Sequence, residues 1–340
     1  MRVVLVRLSA LGDIVHTWPL ADALRSACPD ARLCWVVEER LRLLVDGHPA
    51  VDSVITVDTR RWRRNPLSGQ TRAAMAGLRS RFDELEPDLA LDPQGVVKSA
   101  LVTWWTGAAQ RVGLALPWRR ERIAGLAYTA TLPGSREQRH VVASNLELLR
   151  AVGVTPPAGL PHPDGRWLIE RTRGRPAPVA DQPPYVALLP GAGRARKLLP
   201  VEGLAEIARR AAAAGHAIQV VWGPGEEERA SRVVASAGKG ATLAPPTDLA
   251  GLVQVLARAR AVVGGDTGPV HLAASLGVPA LAIFTATDWR RNGPLGARVE
   301  VVSGARDGDD RPRGTSRAAR PGRVTPAQMA DGFERLLGGP

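Results

Sequence analysis

Three groups of residues in this 340-residue chain have the types and spacing to act on a phosphorylated substrate. The fullest is Gly264-Gly265-Asp266-Thr267-Gly268-Pro269, with His271 close behind. Apolar Ala261–Val263 reads as a strand ending on two glycines, where missing side chains let a ligand approach the backbone. Pro269 fits the first turn of a following helix, which Gly277 stops. A helix N-terminus at a strand's carboxyl end offers N–H groups and positive dipole to a nucleotide's phosphates. A carboxylate would repel a diphosphate, so Asp266 suits the sugar hydroxyls beside it, and His271 could face the same ligand. The same residues admit a structural reading, with Asp266 and Thr267 capping the helix and His271 packed within it.

The second group is Pro190-Gly191-Ala192-Gly193-Arg194-Ala195-Arg196-Lys197, a basic, glycine-containing loop between a strand at Tyr185–Leu189 and a helix at Val201–Ala214. It can cradle phosphate, although it is neither a P-loop nor a dinucleotide fingerprint. Lys98, Lys197 and Lys239 are the only lysines in an arginine-biased chain, which marks them as places where a compact ammonium is needed. Glu226, after the strand Ala217–Trp222, could accept from a ribose, but three acids in a helix's first turn also satisfy its dipole. The third group is Asp13, in the loop after the first strand, Met1–Val6. It is a candidate base, because ligands of open α/β sheets bind at that edge, or it is an N-cap of the helix Ile14–Cys28, which Pro19 kinks or restarts.

The elements that must position these groups alternate as βα units, with further strands at Arg32–Val37, Val54–Val57 and Leu89–Asp92, the pattern of doubly wound parallel sheets. Arg60, Arg61, Arg63 and Arg64 surround Trp62 in what reads as an exposed loop, either a solvated face or a clamp for phosphates and carboxylates. Asp92-Pro93-Gln94-Gly95 with Lys98, the segment Trp118–Arg122 and the segment Arg136–His140 add cations that would line one cleft if the loops share an edge. The proline-rich stretch 156–184 reads as an interdomain linker, and 306–323 as polar and mobile.

Composition bounds the function. Hydrophobic residues make up 45% and charged residues 23%, a globular balance with room for two α/β domains. No apolar run approaches the roughly 20 residues of a membrane span. Arg7 and Asp13 interrupt any signal-peptide core, and Cys28 and Cys34 match neither a disulfide framework nor a metal spacing, so a cytoplasmic location is expected. The net charge of +12 is discounted as arginine bias, yet it suits acidic substrates or an anionic membrane surface.

Ser9-Ala10-Leu11-Gly12-Asp13-Ile14, Asp92-Pro93-Gln94-Gly95 with Lys98, Pro190-Gly191 with Lys197, Trp222-Gly223 with Glu226, and Gly265-Asp266-Thr267-Gly268 with His271 together resemble the ADP-heptose:lipopolysaccharide heptosyltransferases of glycosyltransferase family 9. The arginines at 60–64 and the basic segment near His140 resemble the acceptor loops of the type I branch. The resemblance spans nearly the whole chain and implies a GT-B fold of two Rossmann-like domains facing across a cleft. The expected layout is an acceptor domain over 1–165, a linker over 166–184, a donor domain over 185–322, and a C-terminal helix over 323–340 crossing back to the first domain.

The implied reaction is inverting transfer, with neither metal nor cofactor, of heptose from ADP-L-glycero-beta-D-manno-heptose to the Kdo of Kdo-lipid A. Asp13 would be the general base. Gly191, Ala192, Gly193, Lys197, Glu226, Thr247, Asp266, Thr267, Gly268 and His271 would hold the donor, and Arg60, Arg61, Arg63, Arg64, Lys98, Arg120 and His140 the acceptor. Where relatives carry two threonines after Pro-Gly, this chain has Ala192 and Gly193, so backbone N–H groups or Arg194 and Arg196 must replace hydroxyl contacts. A monomer that visits the cytoplasmic face of the inner membrane without spanning it is expected. The alternatives are a heptosyltransferase II or another nucleotide-sugar transferase, and a non-enzymatic nucleotide or nucleic-acid module. Only Trp62 and Trp118 stand among the basic residues as stacking aromatics, which disfavours nucleic acid.

Overall fold

The computed structural model describes residues 1–116, 118–132, 140–175, 183–304 and 324–338. The chain divides into two compact units, meeting in sequence at Pro161 and His162. In the first, strands β1 (Arg2–Val6), β2 (Arg32–Glu38), β3 (Ser53–Val57), β4 (Leu89–Asp92), β5 (Gln110–Leu114) and β6 (Ala130–Leu132) are interleaved with helices α1 (Leu11–Val15), α2 (Trp18–Ala27), α3 (Thr59–Arg64), α4 (Gly69–Leu85), α5 (Val97–Trp105) and α6 (Val141–Leu146). The sheet is wholly parallel, in the order β3-β2-β1-β4-β5-β6.

The second unit starts with α7 (Arg166–Arg171), and its strands are β7 (Tyr185–Leu189), β8 (Ala217–Val220), β9 (Ala241–Leu243), β10 (Ala261–Gly265), β11 (Ala280–Phe284) and β12 (Val299–Ser303). Between and after them run α8 (Val201–Ala213), α9 (Glu227–Ala237), α10 (Leu249–Arg258), α11 (Gly268–Ser275), α12 (Trp289–Asn292) and α13 (Pro326–Gly338). This sheet too is parallel, in the order β12-β11-β10-β7-β8-β9. Central strands such as β4, β7, β10 and β11 are buried along their whole length, as parallel strands covered on both faces must be. In each sheet the strand order reverses beside the first strand of the unit, β1 or β7, and a crevice opens at the carboxyl ends of such reversal points.

The structure revises several local expectations. Pro19 restarts a helix: α1 ends at Val15 and α2 begins at Trp18, with Pro19 in its first turn. Arg60–Arg64 lie on α3 rather than in a loop, because Asp58 accepts from the Arg61 N–H at 3.0 Å and Trp62 is buried against Trp105, 6.0 Å between ring centroids. Within the stretch read as linker, α7 is secured in the second unit by Gln254, whose Nε2 donates to Thr172 Oγ1 at 2.7 Å and to the Ile169 carbonyl at 3.3 Å. The final helix, α13, packs in that unit against α8, β11 and β12, burying Met329, Ala330, Phe333 and Leu336. Gly203 and Gly332 permit the close approach, since a side chain on either would collide with Met329 or Val302. The segments 133–139, 176–182 and 305–323, and with them the basic residues from Arg136 and the stretch expected to be mobile, lie outside the described residues. Among those described, no helix is long and apolar enough to cross a membrane.

Candidate active site

The carboxyl edge of the first sheet is organised by a buried arginine. Arg7 follows β1, is 2% exposed, and donates from Nε to the Asp13 carbonyl and to Thr17 Oγ1, each at 3.2 Å, and from Nη1 to the Pro93 carbonyl at 3.1 Å. Burial pushes its pKa down, yet the guanidinium ties the loop after β1 to the loop after β4. Gln94 completes the tie by accepting from the Leu8 N–H at 2.8 Å. Asp92 shapes the second loop: Oδ1 accepts from the N–H groups of Gln94 and Gly95 at 2.8 and 3.1 Å, and Oδ2 from the hydroxyls of Ser99 and Tyr128 at 2.8 and 2.7 Å. Burial raises the Asp92 pKa against those four donors, and burial beside the carboxylate raises that of the Tyr128 phenol. Asp92-Pro93-Gln94-Gly95 is thus a scaffold turn.

Asp13 sits on that frame. It is the third residue of α1 rather than its N-cap, and its Oδ2 accepts from the Ala10 N–H at 3.2 Å. The guanidiniums of Arg7 and Arg120 flank it, Arg7 Nη2 at 3.9 Å from Oδ1 and Arg120 Nη1 at 3.7 Å from Oδ2, while the side chain keeps 18% exposure. Lys98 Nζ donates to Ser9 Oγ at 2.8 Å and lies 3.4 Å from Glu38 Oε1. Buried Glu38, at the end of β2, also accepts from the Thr59 N–H and hydroxyl, so it fixes the start of the arginine-bearing α3 and Lys98 together. Arg60, Arg61, Arg63 and Arg64 are all exposed on α3. His140 departs from expectation: it is buried, its Nδ1 accepts from the Val142 N–H at 3.2 Å to cap α6, and its ring meets His16 edge-on.

The second sheet's carboxyl edge is built around an ion pair. Lys197 Nζ donates to Asp266 Oδ2 at 2.6 Å and to the Asp266 carbonyl at 3.3 Å. Thr287 Oγ1, in the loop after β11, donates to the same Oδ2 at 2.6 Å, and His271 Nε2 lies 3.5 Å from Oδ1. Burial works to raise the Asp266 pKa, but hydrogen bonding from His271 and the Lys197 charge outweigh it and hold the carboxyl well below the usual range. Asp266, expected to meet a sugar, has its oxygens engaged by these protein donors. Lys197 in turn is a compensated cation whose third N–H has no partner among the described residues. Gly264 and Gly265, expected to admit a ligand, make close protein contacts: a side chain on Gly264 would meet Val270 at 2.8 Å, and one on Gly265 the Lys197 carbonyl at 3.2 Å.

The remaining donor candidates lie along the same edge. Thr267 occupies the N-cap position of α11 with extended backbone, but its hydroxyl makes no cap hydrogen bond and is buried without a partner among the described residues. A cap role therefore leaves that hydroxyl unexplained. Gly268 opens α11, and His271 is buried in its first turns. Glu226 precedes α9, accepts from the Gly223 N–H at 2.9 Å, and stands where any side chain on Gly191 would collide with it, so the loops after β7 and β8 interlock. Ala192 and Gly193 follow in the partly exposed β7 loop. Thr247 is farther along, after the edge strand β9, beside the Asp248 cap of α10.

Sequence reasoning missed Arg7, Glu38 and Thr287. Each lies at or just beyond a parallel strand's carboxyl end, and that placement was the available signal.

Residues 75–317 match the profile of glycosyltransferase family 9 (heptosyltransferase). A lipopolysaccharide heptosyltransferase 1 of Pseudomonas aeruginosa is 37% identical over 310 residues, 90% of this chain and 84% of that protein. Its namesake in Escherichia coli K12 is 32% identical over 90% of this chain and 95% of its own length. Among solved structures, the E. coli heptosyltransferase WaaC with ADP superposes with a TM-score of 0.76 at 32% identity, covering 88% of this chain and 92% of that one. The fold is that of the GT-B heptosyltransferases. With the family profile spanning most of the chain and relatives above 30% identity along nearly all of it, the chain belongs to glycosyltransferase family 9, the heptosyltransferases.

Proposed function

We propose that the protein transfers heptose from ADP-heptose to the Kdo of Kdo-lipid A, with inversion and without a metal ion, at the cytoplasmic face of the inner membrane. The acceptor oxygen attacks the anomeric carbon, the bond from that carbon to the β-phosphate oxygen breaks, ADP departs, and Asp13 takes the acceptor's proton. Charge grows on the diphosphate as the bond breaks, so cations opposite it stabilise the transition state more than the ground state. Lys197 supplies that charge through its third N–H, with the N-terminus of α11 and the Thr267 hydroxyl. Asp266 acts as the positioning carboxylate for Lys197 and His271, and Glu226 and Thr247 meet the nucleoside. Lys98, Arg120 and the arginines of α3 bind the carboxylates and phosphates of the acceptor.

The observation that supports this reading most is Asp13, a carboxylate at the first sheet's reversal point, flanked by Arg7 and Arg120 and seated on loops that buried groups hold still. A relative adds weight: the E. coli heptosyltransferase WaaC solved with ADP-2-deoxy-2-fluoro heptose is 31% identical, with a TM-score of 0.74. Incubation with ADP-heptose and lipid A bearing one or two Kdo units, followed by product mass, tests it. One added heptose is expected. Turnover confined to an acceptor that already carries heptose would move the assignment to the type II reaction, and no product on either would remove it.

A further inference from the structure

Ten large apolar side chains are exposed among the described residues, and six of them fall between Val97 and Leu126. Val97, Leu101 and Trp104 recur at helical spacing along one face of α5, whose opposite face, with Ala100, Val102 and Thr103, already fills the core side. Ile123 and Leu126 stand on the 3-10 helix Arg122–Ala127, which packs beside α5. The two elements are locked together where the Val97 N–H donates to Glu121 Oε2 at 2.7 Å. Leu126 is 85% exposed, Ile123 63% and Trp104 53%, far more than a monomer's own packing requires.

The rim of this face is cationic. Lys98, Arg120 and Arg122 stand within three positions of its apolar residues in sequence. The arginine-bearing α3 meets α5 where Trp62 packs on Trp105, 6.0 Å between ring centroids. An apolar strip edged by guanidiniums is the pattern of an element that lies in a bilayer interface, with hydrocarbon inserted and cations on lipid phosphates.

We propose that this face docks the protein on an anionic lipid bilayer, with Val97, Leu101, Trp104, Ile123 and Leu126 entering the boundary between headgroups and acyl chains. The consequence for catalysis rests on the proposed function. Arg120 belongs to the same edge and lies 3.7 Å from Asp13, so docking brings the base to the depth at which a lipid-borne acceptor hydroxyl is presented.

Sedimentation with phosphatidylcholine vesicles, with and without phosphatidylglycerol, tests the proposal on the full chain, alongside melting temperature and oligomeric state in lipid-free buffer. The wild-type protein is expected to sediment as a monomer and to bind only the anionic vesicles, more weakly as salt rises. Leu126→Asp, and separately Leu101→Ser with Leu126→Ser, should lower partitioning by about tenfold or more with no change in melting temperature. Leu160→Ser, an exposed leucine elsewhere in the first unit, should bind as wild type. Undiminished binding by the face variants, an equal loss in Leu160→Ser, or equal affinity for neutral vesicles would overturn the proposal. So would a lipid-free dimer that Leu126→Asp dissociates, because the face would then be covered by a second copy. The assay contains neither donor nor acceptor, so its failure and the failure of heptose transfer are separate results.

Discussion

Two carboxylates occupy comparable places in the two sheets, Asp13 after β1 and Asp266 after β10, and their surroundings differ in kind. Asp266 is gripped, with Lys197 and Thr287 each at 2.6 Å from one oxygen and His271 near the other. Beside Asp13 the Arg7 and Arg120 guanidiniums stand at 3.9 and 3.7 Å, and the Ala10 N–H donates to it at 3.2 Å. A carboxylate held by several short charge-assisted bonds has spent its basicity, and a proton offered to it must displace them. In the proposed function the first carboxylate is the base and the second places charge.

The largest effect that could break this contrast is at Asp13. Asp13→Asn keeps an oxygen for the Ala10 N–H and removes the base, so kcat should fall by about 10²–10⁴ while donor affinity and melting temperature hold. A correctly folded, active Asp13→Asn enzyme would end the base assignment. Next comes Lys197→Ala, which removes the cation and leaves Asp266 uncompensated beside the phosphates. Donor affinity measured by calorimetry should drop by roughly tenfold to a hundredfold. Adding Asp266→Asn should restore part of the loss if Asp266 serves chiefly to place Lys197.

Replacing Arg60, Arg61, Arg63 and Arg64 with glutamine should raise the acceptor KM by about tenfold and leave ADP binding alone. A fall in ADP affinity would transfer α3 to the donor site. The smallest expected effect concerns stability. Because the Asp266 pKa is lowered on folding, its contribution is present above the ordinary Asp value of about 3.9 and is lost as pH falls through the folded value. Asp266→Asn should therefore cost about 1–3 kcal/mol in urea unfolding at neutral pH, a deficit that shrinks in acid below about pH 4. A deficit independent of pH would mean the ion pair contributes nothing through charge.

Much of this was legible before folding. The strand positions at Tyr185–Leu189 and Ala261–Val263, the glycine-bearing loops after them, and the acidic or basic residue each loop carries are local patterns of period and turn chemistry. Arg60–Arg64 reads as an exposed loop from its charge density, and it is the Asp58 cap and the burial of Trp62 that make it helical. His140 looked like a surface cation in a basic run; its burial against His16 depends on α6 packing over the α1–α2 break, where Asn145 Nδ2 donates to the His16 carbonyl at 3.0 Å.

The sequence by itself determined two series of βα units, the glycine loops at their strand ends, and which residues could carry charge there, since each depends on neighbours within a few positions. Only the tertiary structure decided which loops become adjacent. That adjacency follows from sheet order, β1 beside β4 and β7 beside β10, a long-range pairing that no local period encodes. It made Arg7, which in sequence only interrupts the apolar N-terminal run, the clamp between two loops, and it gave Asp266 a lysine partner 69 residues away.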